Sequence, residues 1–203
     1  MLYLPHASGK WKRQHDLADA ASTARGRIGY MAQKFSLYGN LTVKQNLNFF
    51  SSVYGLGARA RREAMDEMLD IFHLQPHLNS SADSLPIGFK QRLALACAVM
   101  HHPAVLFLDE PTSGVDPITR REFWTHINAM VERGVTIMVT THFMDEAEYC
   151  DRIAVIYQGR VIATDPPDAL KASVRSEALP DPSLEDAFIE LIRRSQPARQ
   201  EAA

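Results

Sequence analysis

The chain has 203 residues, 46% hydrophobic and 23% charged, enough for one sizeable core or one domain with an inserted subdomain. A formal net charge of -2 and a pI near 6.4 leave no electrostatic footprint for nucleic acid or an anionic membrane surface. The longest apolar stretch, Leu93 to Leu108, is broken by His101, His102 and Pro103 and falls short of the roughly 18 residues of a membrane-spanning helix.

No secretory signal is visible at the N-terminus, and two cysteines, Cys97 and Cys150, make neither a disulfide framework nor a structural zinc site. Both are expected to be reduced packing residues of a cytosolic protein. From Lys10 to Gly26 the chain is polar with little apolar pattern, and Arg27 to Ala32 then reads as a short strand ending at Gln33. Thr42 is a plausible N-cap for a helix with Val43, Leu47, Phe50 and Tyr54 on one face, ended by Gly55 and Gly57. A second helix from about Arg59 to His73 carries Ala64, Met65, Met68, Leu69 and Phe72, and a third begins after Gly88 and runs to His101.

Residues 104 to 116, Ala-Val-Leu-Phe-Leu-Asp-Glu-Pro-Thr-Ser-Gly-Val-Asp, form a wholly apolar run that ends in two adjacent carboxylates and a turn. The run predicts a parallel strand covered on both faces, stopped by Pro111 and Gly114. Two carboxylates at the end of such a strand are costly unless a cation uses them. Mg²⁺ takes oxygen ligands, usually one or two carboxylates with phosphate and water completing its shell, so nucleotide-bound magnesium suits Asp109. Glu110 is then placed to orient or deprotonate a water attacking the terminal phosphate.

Next come a helix with Pro117 in its first turn and Phe123, Ile127, Met130 and Val131 along it, Gly134 after its end, and a strand over 135–140. Ile153 to Tyr157 and Arg160 to Ala163 flank Gln158-Gly159 as a hairpin, followed by a helix over 167–171 and, beyond a Pro-rich link, a terminal helix over 181–194. Strands alternating with helices predict an α/β fold with a mainly parallel sheet and ligands beyond the carboxyl ends of the strands. Gln33, Asp109 and His142 all fall at such ends.

Five motifs taken together resemble the ATPase domain of ABC transporters: Gln33 after a strand, Leu85-Pro86-Ile87-Gly88-Phe89-Lys90-Gln91-Arg92 opening a helix, Leu108-Asp109-Glu110-Pro111, Ser113-Gly114-Val115-Asp116, and Thr140-Thr141-His142. The match in order and spacing extends over residues 26 to 171. The resemblance implies a P-loop NTPase-like α/β fold with an inserted helical subdomain. It divides one domain over 1–203 into a core (1–41 and 102–172), a helical subdomain (42–101) and a C-terminal extension (173–203). It implies ATP and Mg²⁺ as cofactors, Gln33 near the magnesium and facing a membrane permease, Asp109 on the magnesium and Glu110 as the catalytic carboxylate. Asp116 resembles the D-loop aspartate and His142 the histidine that touches the terminal phosphate and Glu110, although each also has a simpler place, as a helix N-cap and a loop histidine. His6, His15, His73, His77, His101 and His102 match no motif, and the pair before Pro103 reads as a helix end.

Two departures qualify the resemblance. Where most of the family has Ser-Gly-Gly, this chain has Pro86-Ile87-Gly88, so a hydroxyl and one glycine are absent from a segment that presents N–H groups at a helix start to the ATP of the opposite subunit. Weakened geometry is expected there, not abolition. The chain also contains no Gly-x-x-x-x-Gly-Lys-Ser/Thr loop: at Gly9-Lys10, Leu4 replaces the first glycine and Trp11 the magnesium-binding hydroxyl. Pro5 to Gly9 resembles a turn that follows the phosphate loop in the family, so the expectation is an N-terminally truncated domain with impaired ATP binding and a marginal fold.

The leading expectation is therefore the ATP-binding subunit of an exporter-type ABC transporter, and Pro182-Ser183-Leu184-Glu185-Asp186-Ala187-Phe188-Ile189 resembles a tail of drug and polyketide exporter ATPases. Such a subunit pairs as a homo- or heterodimer and lies on the cytoplasmic face of the inner membrane through its permease, with no direct nucleic-acid contact. Two alternatives stand beside it. One is a non-catalytic interaction module, or decayed fragment, that keeps the permease-docking and dimer surfaces. The other is a soluble ABC ATPase acting on ribosomes or DNA, against which the absence of heptad runs and the neutral charge both weigh.

Overall fold

The computed structural model describes Leu2 and Tyr3 as backbone and residues 26–196 in full. The turn expected at Pro5 to Gly9, the Gly9-Lys10 pair, His6, His15 and most of the polar segment lie outside those residues. The chain divides into two compact units, one of residues 9–137 and one of residues 1–8 with 138–203.

In the first unit the backbone packs closely around one glycine. Strand β2 (Ile28–Met31) pairs in parallel with β3 (Val105–Asp109), Ile28 opposite Val105 through Met31 opposite Leu108. A Cβ at Gly29 would stand 2.4 Å from the Ala98 carbonyl oxygen and 2.8 Å from Leu106 Cδ1, so the strand lies against a helix at a distance only glycine allows. Three helices follow β2: α1 (Val43–Val53), α2 (Ala58–Ile71) and α3 (Ile87–Val99). Thr42 does cap α1, within a capping box: its hydroxyl accepts from Gln45 N at 3.2 Å while Gln45 Oε1 accepts from Thr42 N at 2.8 Å.

Asn46, fully buried, fastens the preceding loop to α1. Its Nδ2 donates to the carbonyls of Tyr38, Leu41 and Thr42, and its Oδ1 accepts from Tyr38 N. Ala64, Met68, Leu69 and Phe72 are buried on or just after α2, as the spacing predicts, and α3 is buried from Leu93 through Val99 on every side. His102 turns left-handed (φ 52°) just past α3, in keeping with a helix end there. His101 does more than mark it: its Nε2 lies 3.1 Å from the Ile28 carbonyl, and its ring stacks on Tyr54 at 3.6 Å.

The expectation that β3 is covered on both faces is only half met. Leu106 and Leu108 are buried, but Val105, Phe107 and Asp109 on the other face are half-buried, and β4 (Thr136–Thr140) alternates in the same way. An apolar run does not require burial, because apolar atoms make up more than half of an ordinary protein surface. In α4 (Pro117–Glu132) the deep positions are Phe123, Trp124 and Ile127, whereas Met130 and Val131 are half-buried. The last turn of α4 borders a cavity of about 430 Å³ lined by Met68, Phe72, Met130 and Val135, which leaves Met130 with fewer packing neighbours. An Arg92–Glu122 ion pair joins α3 to α4.

Strand β4 passes from the first unit into the second. There β1 (Leu2–Tyr3) pairs antiparallel with β4 and with β5 (Ile153–Tyr157), Leu2 opposite both Thr140 and Ala154. Two residues are too few for any sequence pattern to announce. Strands β5 and β6 (Arg160–Asp165) form the expected hairpin, with Gln158 (φ 48°) and Gly159 (φ 73°) both left-handed as a type I′ turn needs. The four-residue α5 (Met144–Ala147) follows β4, and α6 (Pro167–Val174) packs against α7 (Leu184–Ser195). Ser183 and Asp186 make a capping box at the start of α7, a local reason for the Ser-Leu-Glu-Asp of the tail. Cys97 and Cys150 are both buried and free, and burial pushes the Cys150 thiol up to about 12.

Gly29→Ala is expected to destabilise the chain by about 3 kcal/mol, the upper end of overpacking costs, because the atom it meets is backbone. A lower urea midpoint at unchanged slope checks this.

Burial holds His101 below the ordinary imidazole value, with His102 adding and the bond to Ile28 opposing; burial does the same for His126, with Arg92 and His73 adding and Glu122 opposing. The unfolded chain therefore takes up protons at these rings near pH ~6.5 before the folded chain does. Their contribution is constant above that pH and is lost as pH falls below it toward the folded values. The urea midpoint should be lower at pH 5.5 than at 7.5, and the difference should shrink in His101→Gln.

Candidate functional site

Strand β3 carries its alternating burial as far as Asp109, and the chain then turns sharply at Glu110, whose φ of 43° is left-handed for a residue with a Cβ. Such a conformation costs roughly 1–2 kcal/mol and persists only where the surroundings impose it. Here the turn that follows imposes it: Ser113 N donates to the Glu110 carbonyl at 3.2 Å, Val115 N to that of Thr112 at 3.1 Å, and Gly114 takes φ 75°. The side chain of Glu110 meets Gln33, which leaves the end of β2: Gln33 Nε2 donates to Glu110 Oε2 at 2.6 Å across 77 residues of sequence. The parallel β2–β3 register brings the two together, since Met31, the last residue of β2, is the partner of Leu108, and β3 ends one residue later at Asp109.

With Nε2 on the carboxylate, Gln33 keeps its Oε1 as an oxygen donor. Asp109, Glu110 and Gln33 thus gather carboxylate and amide oxygens at adjoining strand ends. Among the described residues no three His, Cys, Asp or Glu side chains could cage a metal. A magnesium that retains phosphate and water ligands needs only one or two carboxylates, and this donor set fits that ion.

Asp116 caps α4, accepting from Ile118 N at 3.1 Å and Thr119 N at 3.0 Å, and the Thr119 bonds hold its carboxyl below the usual range. Pro86 is the N-cap residue of α3 without a side-chain cap bond, and Ile87 is 46% exposed. Gly88 faces α4: a Cβ there would lie 2.9 Å from Thr119 Cγ2. The start of α3 is therefore set by its packing on α4 as well as by any ligand. Lys90 and Arg92 flank this start over the rings of Phe35 and Phe89.

His142 stands in the second unit, in the loop after β4, with an exposed ring against Phe143 at 4.1 Å. Its neighbour Thr141 is buried and donates from Oγ1 to the fully buried Glu146 at 2.6 Å, while accepting from Phe143 N at 3.1 Å. Sequence reasoning named Thr141 only as part of a motif, without a role of its own, and did not single out Glu146; a Ser or Thr followed within a few residues by an acid beside a singled-out histidine is the pattern that would have found the pair. It also missed His101 and Asn46, whose partners are backbone carbonyls that no residue pattern marks.

The chain is 63% identical over 177 residues to the "Probable multidrug ABC transporter ATP-binding protein YbhF" of Escherichia coli strain K12, covering 87% of this chain and 31% of that protein. It is 42% identical over 151 residues to the "Nod factor export ATP-binding protein I" of Burkholderia orbicola, covering 74% and 50%. The chain thus spans about a third to a half of the length of these curated relatives. A solved "Structure of ATP binding subunit of ABC transporter" superposes with a TM-score of 0.75 at 28% identity, covering 88% of this chain and 73% of that one, so the α/β fold is that of the P-loop NTPase-like ABC ATPase domains. A family model described as "ABC transporter" matches residues 3–113, over half of the sequence, and the chain belongs to the ABC transporter family.

Proposed function

We propose that this chain is part of the ATP-binding subunit of an exporter-type ABC transporter, in which ATP binding and hydrolysis drive transport through a separate permease. The observation that carries the reading is the bond between Gln33 and Glu110 at the strand ends beside Asp109. Gln33 fixes one oxygen of the carboxylate that would accept a proton from an attacking water. Mg²⁺, when bound with ATP, would supply charge neutralisation at the phosphates, and Asp109 with the Gln33 amide oxygen would hold it. Asp116, besides capping α4, and His142 would complete the set, His142 as the contact to the terminal phosphate.

The relatives' names supply the exporter class and the multidrug or Nod factor cargo of those proteins; the cargo of this one would be set by its permease. We read residues 42–101 as the helical subdomain that faces that permease, with Pro86, Ile87 and Gly88 at the start of α3 addressing the ATP of a second ATPase domain in a homo- or heterodimer. Such a subunit works on the cytoplasmic face of the membrane. No helix among the described residues is long and apolar enough to cross it.

These 203 residues contain no phosphate loop. A polypeptide of these 203 residues alone would go without the three or four charge-assisted bonds such a loop makes, at ~1.5–3 kcal/mol each, and would bind ATP over ~10³-fold more weakly; the second reading is a module that docks without hydrolysing. Phosphate release by the purified chain at millimolar Mg-ATP separates the two. Weak turnover that falls by ~10²–10⁴-fold in Glu110→Gln, with ATP still bound, is expected for the first reading. Turnover indifferent to that substitution, or none at all, would sink it.

A further inference from the structure

We propose that Glu146 is the positioning residue for His142: its buried carboxylate orients the Thr141 hydroxyl, and that hydroxyl fixes the turn from which the imidazole projects. The proposal rests on the reading of His142 as the contact to the terminal phosphate. Glu146 is 0% exposed and Thr141 8%, while His142, in the turn they hold, is exposed. A threonine hydroxyl has a single proton. Once that proton is given to Glu146 Oε2 at 2.6 Å, the oxygen turns its lone pairs toward the Phe143 N–H, which it accepts at 3.1 Å.

Two bonds meeting on one oxygen span the histidine, one accepted from Phe143 N and one donated to Glu146. The forward anchor is itself held, because α5 begins immediately after Phe143 and the Cys150 thiol points at the Glu146 carbonyl at 3.7 Å. A buried carboxylate does not readily give up a hydroxyl donor, since leaving either group unsatisfied is costly. An exposed imidazole cannot supply the ~0.5 Å accuracy a phosphate contact demands; its supporting turn must.

The test uses the full 203-residue chain labelled at histidine and at backbone nitrogen, with His142→Ala to assign the ring signal. In Thr141→Val and in Glu146→Ala, the Phe143 amide should exchange about 10-fold faster and the His142 ring signals should sharpen toward those of a free side chain. Thr141→Ser should restore both. Glu146→Gln, which keeps an acceptor but not the charge, should show a smaller acceleration, about threefold. Unchanged exchange and line widths in the folded Thr141→Val or Glu146→Ala chains would overturn the proposal, and if neither folds, unchanged exchange in Glu146→Gln does so. Where the wild-type chain releases phosphate, Thr141→Val should lower kcat with KM for ATP held. Where it releases none, the ATPase reading fails while the spectroscopic comparison still decides the positioning role.

Discussion

The close approach of β2 to α3 at Gly29 is the constraint on which the first unit depends. A Cβ at Gly29 would stand 2.4 Å from the Ala98 carbonyl oxygen, so only its absence lets the β2–β3 pair pack this closely on α3. His101 adds a bond from the end of α3 to the Ile28 carbonyl next door, and its stack on Tyr54 brings in the end of α1. Most of what is singled out in that unit hangs from these elements: Gln33 beyond the end of β2, Asp109 and Glu110 at the end of β3, and Pro86 to Gly88 at the start of α3; Asp116 stands apart, at the start of α4. A pleated strand ending one residue earlier or later would turn its last side chain to the other face. The parallel register thus decides that Gln33 and Glu110 meet.

The elements were legible in the sequence where one physical rule governs each. Thr42 and Asp116 announced helix starts because a short side chain with an oxygen satisfies N–H groups no backbone partner reaches, and Gln158-Gly159 announced the hairpin because few residues accept two left-handed positions. The candidate site stood in the sequence as a set of motifs, of which the structure joins Gln33 and Glu110 by a hydrogen bond between two strand ends. What stayed hidden was one-sided or non-local. The half-buried face of β3 carries Val and Phe as readily as the buried face carries Leu, so composition could not tell the faces apart. His101 looked like punctuation before Pro103, because a ring bonded to a carbonyl 73 residues away leaves no trace in local pattern.

The variant segment at the start of α3 also takes a different meaning once its neighbours are known. Pro86 supplies no N–H and Ile87 is exposed, so two of the three residues offer little to an anion, yet Gly88 lies so close to Thr119 of α4 that a Cβ would make that side chain shift. The glycine therefore keeps α3 and α4 in contact at their N-terminal ends, and Arg92 with Glu122 ties them again farther along. Asp116, by capping α4, holds the same end of the same helix. The segment whose chemistry departs from the expected signature thus keeps a packing contact, so that the helix start and its positive end persist without the expected hydroxyl donor.

The two candidate halves are stabilised by bonds of different range, and this has a consequence for how each fails. Gln33 and Glu110 are brought together across 77 residues, so their contact is only as firm as the β2–β3 pairing and the left-handed turn at Glu110 that surrounding hydrogen bonds impose. The turn bearing His142 is braced within six residues by Thr141 and Glu146, both buried. Loosening the first unit, by acid acting on His101 or by crowding at Gly29, should therefore spoil the acid–amide pair before it disturbs the histidine turn. Local unfolding proceeds in cooperative pieces, and contacts closed by long loops open with the elements that carry them.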